Sequence, residues 1–213
     1  MRVIDQALGR SGVVPLPDSA RSGIPTWLLF CQTWLMAKHV ELRRHTDSEG
    51  DALTAAGVAA ALKIGQQLSG GYRLVASSGV QRATQTAACL IAGLGEQVPG
   101  GVVIEEGLRS HREDEWRAAY RMVGKGDLAS LRQTDPGLVD QDSAALAKGL
   151  RRLLDRLEDG ERALAVGHSP TLEAAIFGLT GRILAPLGKG EGVLLIQDGD
   201  TYTVEPLSWG QTG

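Results

Sequence analysis

From about residue 37 onward the sequence predicts an α/β fold: a three-layer α/β/α sandwich on a mainly parallel sheet, with a hairpin added at the C-terminal end. Three observations lead there. Short apolar runs of strand character alternate with helical stretches, the order that builds parallel sheets covered by helices. The run RALAVG, Arg162 to Gly167, is almost continuously apolar, as a strand covered on both faces is. The last stretch, EGVLLIQDGDTYTVEPL, sets Asp198-Gly199 between two strand-like runs, which is a hairpin signal.

Taken in order, HVELR (39–43) is the first strand. Thr54 is a good N-cap for a helix whose apolar stripe is Val58, Ala61, Leu62, Gly65 and Leu68, stopped by Gly70-Gly71. YRLVASS is the second strand, ending at Ser77-Ser78, and VQRATQTAACLIAGL the second helix, terminated between Gly93 and Gly95. GVVIEE is a third strand. The stretch from Arg109 to Asp142 is polar and irregular, and reads as short helices inserted over one end of the sheet. Within it Trp116 and Tyr120, four residues apart, read as a small packing cluster and not a substrate platform. From Ser143, SAALAKGLRRLLDRLEDG is amphipathic, with Leu146, Leu150, Leu153, Leu154 and Leu157 on one face. A final helix spans Thr171 to Leu179.

The 213 residues accommodate one domain with an extension. Residues 1–36 are expected to be an N-terminal extension outside the core, and 37–213 the domain. The apolar run from Ile24 to Ala37 falls short of the roughly 20 residues a spanning helix needs, and the mixed charges before it do not match a signal peptide. No membrane association is expected. The net charge of −3 gives no general attraction to nucleic acid. Cys31 and Cys89 form neither a metal-like spacing nor a disulfide framework, so a cytoplasmic location is expected.

The chemistry gathers at three strand ends: Arg44-His45 after the first, Ser77-Ser78 with Arg82 after the second, and Gly167-His168-Ser169 after the buried one. In one parallel sheet these ends converge, where ligands collect. Two arginines and two histidines form a donor-rich site with no acidic metal ligands. Arginine grips phosphate bidentately, a neutral imidazole can attack phosphorus, and further donors can neutralise charge that develops on the equatorial oxygens. The set suits phosphoryl transfer through a phosphohistidine, without a metal or other cofactor.

These residues resemble the histidine phosphatase (phosphoglycerate mutase-like) superfamily. Arg44-His45-Thr46 stands at its Arg-His-Gly, Leu53-Thr54-Ala55-Ala56-Gly57 at its Leu-Thr-x-x-Gly, the Arg82 segment of SSGVQRATQTA at its Ser-x-x-x-Arg-Ala-x-x-Thr-Ala, and Gly167-His168 at its late Gly-His. The match runs from about residue 39 to the final hairpin. By that resemblance the fold is phosphoglycerate mutase-like and 37–213 is a histidine phosphatase domain. His45 is then the nucleophile, and Arg44, Arg82 and His168 hold the phosphoryl group. The chain is closer to the small phosphatases and phosphohistidine phosphatases than to the mutases, whose long insertions it lacks. The implied activity is metal-independent hydrolysis of a phosphomonoester or phosphohistidine substrate through a covalent phosphohistidine on His45. The substrate is a phosphorylated small molecule or a phosphohistidine protein.

Two departures stand out. Thr46 replaces the family's glycine. The family's Leu-x-Glu, which carries a general acid in many members, reads Leu108-Arg109-Ser110 here. Glu105, Glu106, Glu113, Asp114 and Glu115 lie nearby; Glu113 is the leading candidate acid, against the slightly preferred reading that all five are solvated. Arg43 is expected to be a bystander, His39 structural or solvent-facing, and His111 outside the chemistry. A serine hydrolase is excluded: GHSPT lacks the second glycine of the nucleophile elbow, and no histidine follows His168. A catalytically weak or silent phospho-ligand binding domain of the same fold is the alternative reading.

Overall fold

The computed structural model describes residues 36–124 and 126–207. The expected extension, with Trp27, Cys31 and Trp34, lies outside the described residues apart from Met36.

Six strands form one sheet: β1 (Lys38–Arg44), β4 (Tyr72–Ser77), β5 (Val102–Ile104), β6 (Arg162–Gly167), β7 (Gly192–Asp198) and β8 (Thr201–Pro206), in the order β5-β4-β6-β1-β7-β8. β6 pairs in parallel with both β1 and β4, and β4 in parallel with β5. β7 runs antiparallel to β1, and β8 to β7. The parallel strands therefore deliver Arg44, Ser77, Ile104 and Gly167 to one edge. Two-residue strands β2 (Ser48–Glu49) and β3 (Ala52–Leu53) make a separate hairpin after β1.

Helices cover both faces. On one lie α1 (Ala55–Gly65) and α2 (Gln81–Leu94), whose Ile64, Ala83, Ala87 and Leu90 pack on Val75, Leu164 and Val166. On the other, α5 (Pro136–Asp155) and α6 (Thr171–Thr180) pack on Val40, Leu42, Ala76, Ala163 and Ala165. The five leucines read as one face of α5 and the turn after it are all buried. α3 (Glu113–Val123) and α4 (Leu128–Thr134) are the inserted short helices.

Each departure from the sequence reading has a local cause. α5 begins at Pro136, not Ser143, because Asp135 accepts from the Leu138 amide and Pro136 occupies the first turn, where its missing N–H costs nothing. In α1 the buried face is Gly57, Ala61, Ile64 and Gly65, while Val58 is exposed. Thr54 does cap it, accepting from the Gly57 amide at 2.9 Å. Gly57 itself is required because a Cβ there would collide with the Asp47 carbonyl. Gly65 and Gly93 serve a close crossing of α1 and α2, each facing the other helix's backbone. The hairpin loop is Gly199-Asp200, one residue later than expected, with Gly199 at φ +55° and Asp198 still paired to Thr201. The third strand stops at Ile104, because Glu105 turns to cap a 3-10 turn at Glu106–Leu108.

Candidate active site

Backbone bonds beyond the strand ends carry the convergence into the loops. The His45 amide donates to Gly167 O at 3.0 Å, and the Ser78 amide to Val166 O at 3.0 Å. The 188–191 turn closes from the other side: Arg44 N donates to Glu191 O, and Gly190 N reaches the carbonyls of Arg44 and His45. The structure thus brings Arg44, His45, Arg82 and His168 together.

His45 is 6% exposed. Its Nδ1 lies 2.7 Å from the Thr46 carbonyl, an acceptor only, so Nδ1 carries the proton and donates. Its Nε2 lies 3.3 Å from Arg82 Nε, a donor only, so Nε2 presents a lone pair. The two contacts require the same neutral tautomer. Burial holds the imidazole pKa down to about 4; the Thr46 bond opposes this, and the charges of Arg82, Arg44 and Lys189 add to it. The His168 ring sits 4.9 Å away, centroid to centroid. Its pKa is pushed down to about 3, first by burial and then by the charges of Arg82 and its neighbours. Its Nδ1 is 3.2 Å from Ser78 Oγ. With the Ser78 hydroxyl donating, the buried Nε2, which has no partner among the described residues, keeps a proton for a ligand. Arg44 donates from Nη1 to Leu187 O at 2.7 Å, and its buried Nε has no partner among the described residues. Buried donors of this kind are costly unless a ligand accepts from them, and two arginines beside them make an anion the natural one.

Thr46 is buried and does what a glycine could not. Its amide and hydroxyl both reach Thr86 Oγ1, at 3.2 and 3.3 Å, and Thr86 donates to the Arg82 carbonyl at 2.8 Å. The loop holding His45 is thereby tied to the helix holding Arg82. Arg43 corrects the expectation of a bystander. It is buried, ion-paired with Glu41, and donates to Gly190 O at 3.1 Å, so it supports the turn that closes on His45. His39 is buried at the start of β1.

A cleft of about 160 Å³ opens on Arg82 and His168, walled by Arg109, Ser110, Glu113, Trp116 and Pro170. His45 does not line it; the Arg82 guanidinium covers its Nε2. Glu113 reaches the cleft wall, but its carboxylate is bound by Arg109 at 2.6 Å and Arg117 at 3.2 Å. Glu105 is bound by Arg152, Asp114 by Arg117 and Glu115 by Arg112. Glu106 and His111 line a neighbouring outer groove. Of the two aromatic residues, Trp116 is buried in the core, whereas Tyr120 is 50% exposed.

Two acids went unread in the sequence. Asp51, on the β2–β3 turn, accepts from Arg82 Nη1 at 2.9 Å, and a turn aspartate carries no signal of that role. Glu173 is 1% exposed; its Oε1 accepts from Ser169 Oγ at 2.6 Å and from the Leu187 amide at 2.8 Å. Burial pushes its pKa up. It links the His168 loop to the residue whose carbonyl holds Arg44, and its signal was a lone carboxylate inside the apolar run TLEAAIFGL. Among the described residues, no group of three or more His, Cys, Asp or Glu is placed to hold a metal ion, and no helix is long and apolar enough to cross a membrane.

A family model described as the histidine phosphatase superfamily (branch 1) matches residues 32–189. The chain belongs to that superfamily. Solved structures of several phosphatases and of a mutase share the fold. A phosphoglycerate mutase from Bacillus anthracis is 17% identical, with 83% of this chain and 95% of that one covered and a TM-score of 0.59. A phosphoserine phosphatase from Entamoeba histolytica, solved with 3-phosphoglyceric acid, is 19% identical, with 82% and 98% covered and a TM-score of 0.55. A mycobacterial glucosyl-3-phosphoglycerate phosphatase is 18% identical, with 80% and 98% covered and a TM-score of 0.57. At such identities the likeness is one of fold. No curated protein matches by sequence. Among these structural relatives, phosphatases outnumber mutases.

Proposed function

We propose that the protein is a phosphatase that hydrolyses a phosphomonoester or phosphohistidine substrate through a covalent phosphohistidine on His45. The observation that carries this is the His45 tautomer: Nδ1–H is committed to the Thr46 carbonyl and the Nε2 lone pair is held at the arginine-lined end of the site. The substrate phosphoryl group takes over the Arg82 donors that now rest on His45 and Asp51. Nε2 attacks phosphorus in line as the P–O bond to the leaving group breaks, and Nδ1 keeps its proton, hydrogen-bonded to the Thr46 carbonyl. Arg44, Arg82 and the Nε2–H of His168 accept the charge that gathers on the equatorial oxygens, a role in which each charged donor contributes about 1.5–3 kcal/mol. Water then attacks the phosphohistidine and releases inorganic phosphate. The arginines supply the positive charge, so the reading needs no metal.

The one carboxylate that walls the cleft among the described residues, Glu113, is bound by Arg109 and Arg117, and Asp51 by Arg82. This supports substrates whose leaving group departs without full protonation; Glu113 serves as the acid only if a substrate displaces its arginines. The test is turnover of an aryl phosphate by the purified protein in the presence of chelator. Steady hydrolysis that is lost in His45→Ala supports the reading. Equal turnover in His45→Ala overturns the nucleophile, and no turnover from pH 5 to 8 favours a silent phospho-ligand binding domain.

A further inference from the structure

We propose that the groove along α3, running from the cleft between Trp116 and Pro170 out to Tyr120 and Arg121, is the leaving-group subsite. Its ligand is a phosphomonoester with a flat apolar body that carries a second anionic group. The inference rests on the phosphatase reading above and names its substrate class.

Continuity is the first argument. The groove, of about 680 Å³, shares Trp116, Arg117, Ser169 and Pro170 with the cleft of about 160 Å³ that opens on Arg82 and His168. The smaller space suits a phosphoryl group, and a leaving group larger than that extends into the groove that adjoins it.

The walls are the second argument. Trp116 is pinned by its indole N–H, which donates to Asp142 Oδ2 at 2.6 Å, so the ring does not reorient. Tyr120, one turn further along α3, is half exposed, and Leu131 and Pro170 complete an apolar lining. A rigid aromatic wall beside an exposed tyrosine suits a planar body, which stacks at low entropic cost.

Charge distinguishes the outer end of the groove. Arg109, Arg112 and Arg117 are each paired with carboxylates of α3. Arg121 donates to the Arg117 carbonyl at 3.3 Å, and among the described residues no carboxylate forms an ion pair with it. Its charge is therefore uncompensated at the outer end of the groove, one helical turn beyond Arg117, where an anion on the substrate would meet it.

The experiment compares kcat/KM for four substrates: phenyl phosphate, 2-naphthyl phosphate, 4-carboxyphenyl phosphate and the neutral methyl ester of the last. The ester has the better leaving group, so faster turnover of the carboxylate can only come from binding. We expect 2-naphthyl over phenyl and carboxylate over ester, each by about tenfold, the scale of one good contact. Arg121→Gln should erase the carboxylate preference, and Tyr120→Ala should lower the naphthyl-to-phenyl ratio about fivefold. Unchanged ratios in both variants, or wild-type preference for O-phosphoserine over every aryl substrate, overturn the subsite. Calorimetric titration with 4-carboxybenzylphosphonate and with benzylphosphonate reads the same subsite without turnover. A carboxylate advantage lost in Arg121→Gln supports it, and equal affinities overturn it. Loss of all hydrolysis with those binding differences intact would refute the phosphatase reading alone.

Discussion

At His45 two contacts agree on where the proton sits. Thr46 O can only accept and Arg82 Nε can only donate, so the neutral imidazole keeps its proton on Nδ1 and its lone pair on Nε2. Long-range nitrogen-15 correlation spectra should show His45 as the neutral Nδ1–H tautomer at pH 6, because burial holds its pKa to about 4; the Nε2–H tautomer would refute the assignment. Arg44, His45, Arg82 and His168 were legible in the sequence because each ends a strand or opens a helix in a short ordered motif. The Thr46 carbonyl was not, since any residue supplies a backbone carbonyl and only folding decides which one faces a ring. Thr46 itself was visible as a departure, but the hydroxyl's partner, Thr86, lies forty residues on, past β2, β3, α1 and β4.

Among the elements, α3 is placed by one buried bond. Trp116 Nε1 donates to Asp142 on α5, and both residues are buried. Asp142→Ala leaves the indole donor unsatisfied and should destabilise the fold by about 1–3 kcal/mol in urea denaturation; it should also raise KM for aryl substrates, because the groove wall moves. An unchanged midpoint would show that packing alone fixes α3. Strands β1, β4 and β6 and helix α2 followed from apolar periodicity, which survives because the core demands it. The start of α5 was lost to a rival signal: Asp135-Pro136-Gly137 spells a turn as readily as a cap with proline in the first turn. Strand order was not legible either, since periodicity says which face is buried but not which strand lies alongside.

For the whole molecule, burial of two neutral imidazoles sets the response to acid. His45 and His168 have folded pKa values of about 4 and about 3, below the unfolded value near 6.5. Between those limits the unfolded chain binds protons that the folded one refuses, so stability is intact above pH 6.5 and falls as pH drops toward 4. At pH 5 the cost is on the order of 2 kcal/mol for each histidine. Glu173, whose pKa burial raises, works in the opposite direction. The difference between wild type and His168→Asn therefore isolates the imidazole: the variant's urea midpoint should fall less between pH 7 and pH 5, and equal slopes would contradict the burial. The same neutrality leaves Nε2 of His45 free to attack across the physiological range. Rapid mixing with a phosphorus-32-labelled aryl phosphate, quenched into alkaline denaturant and mapped by mass spectrometry, tests that attack most directly. The account predicts one phosphoryl group on His45, stable to base, labile to acid and absent from His45→Ala; label on another residue, or turnover with no label at all, would contradict it.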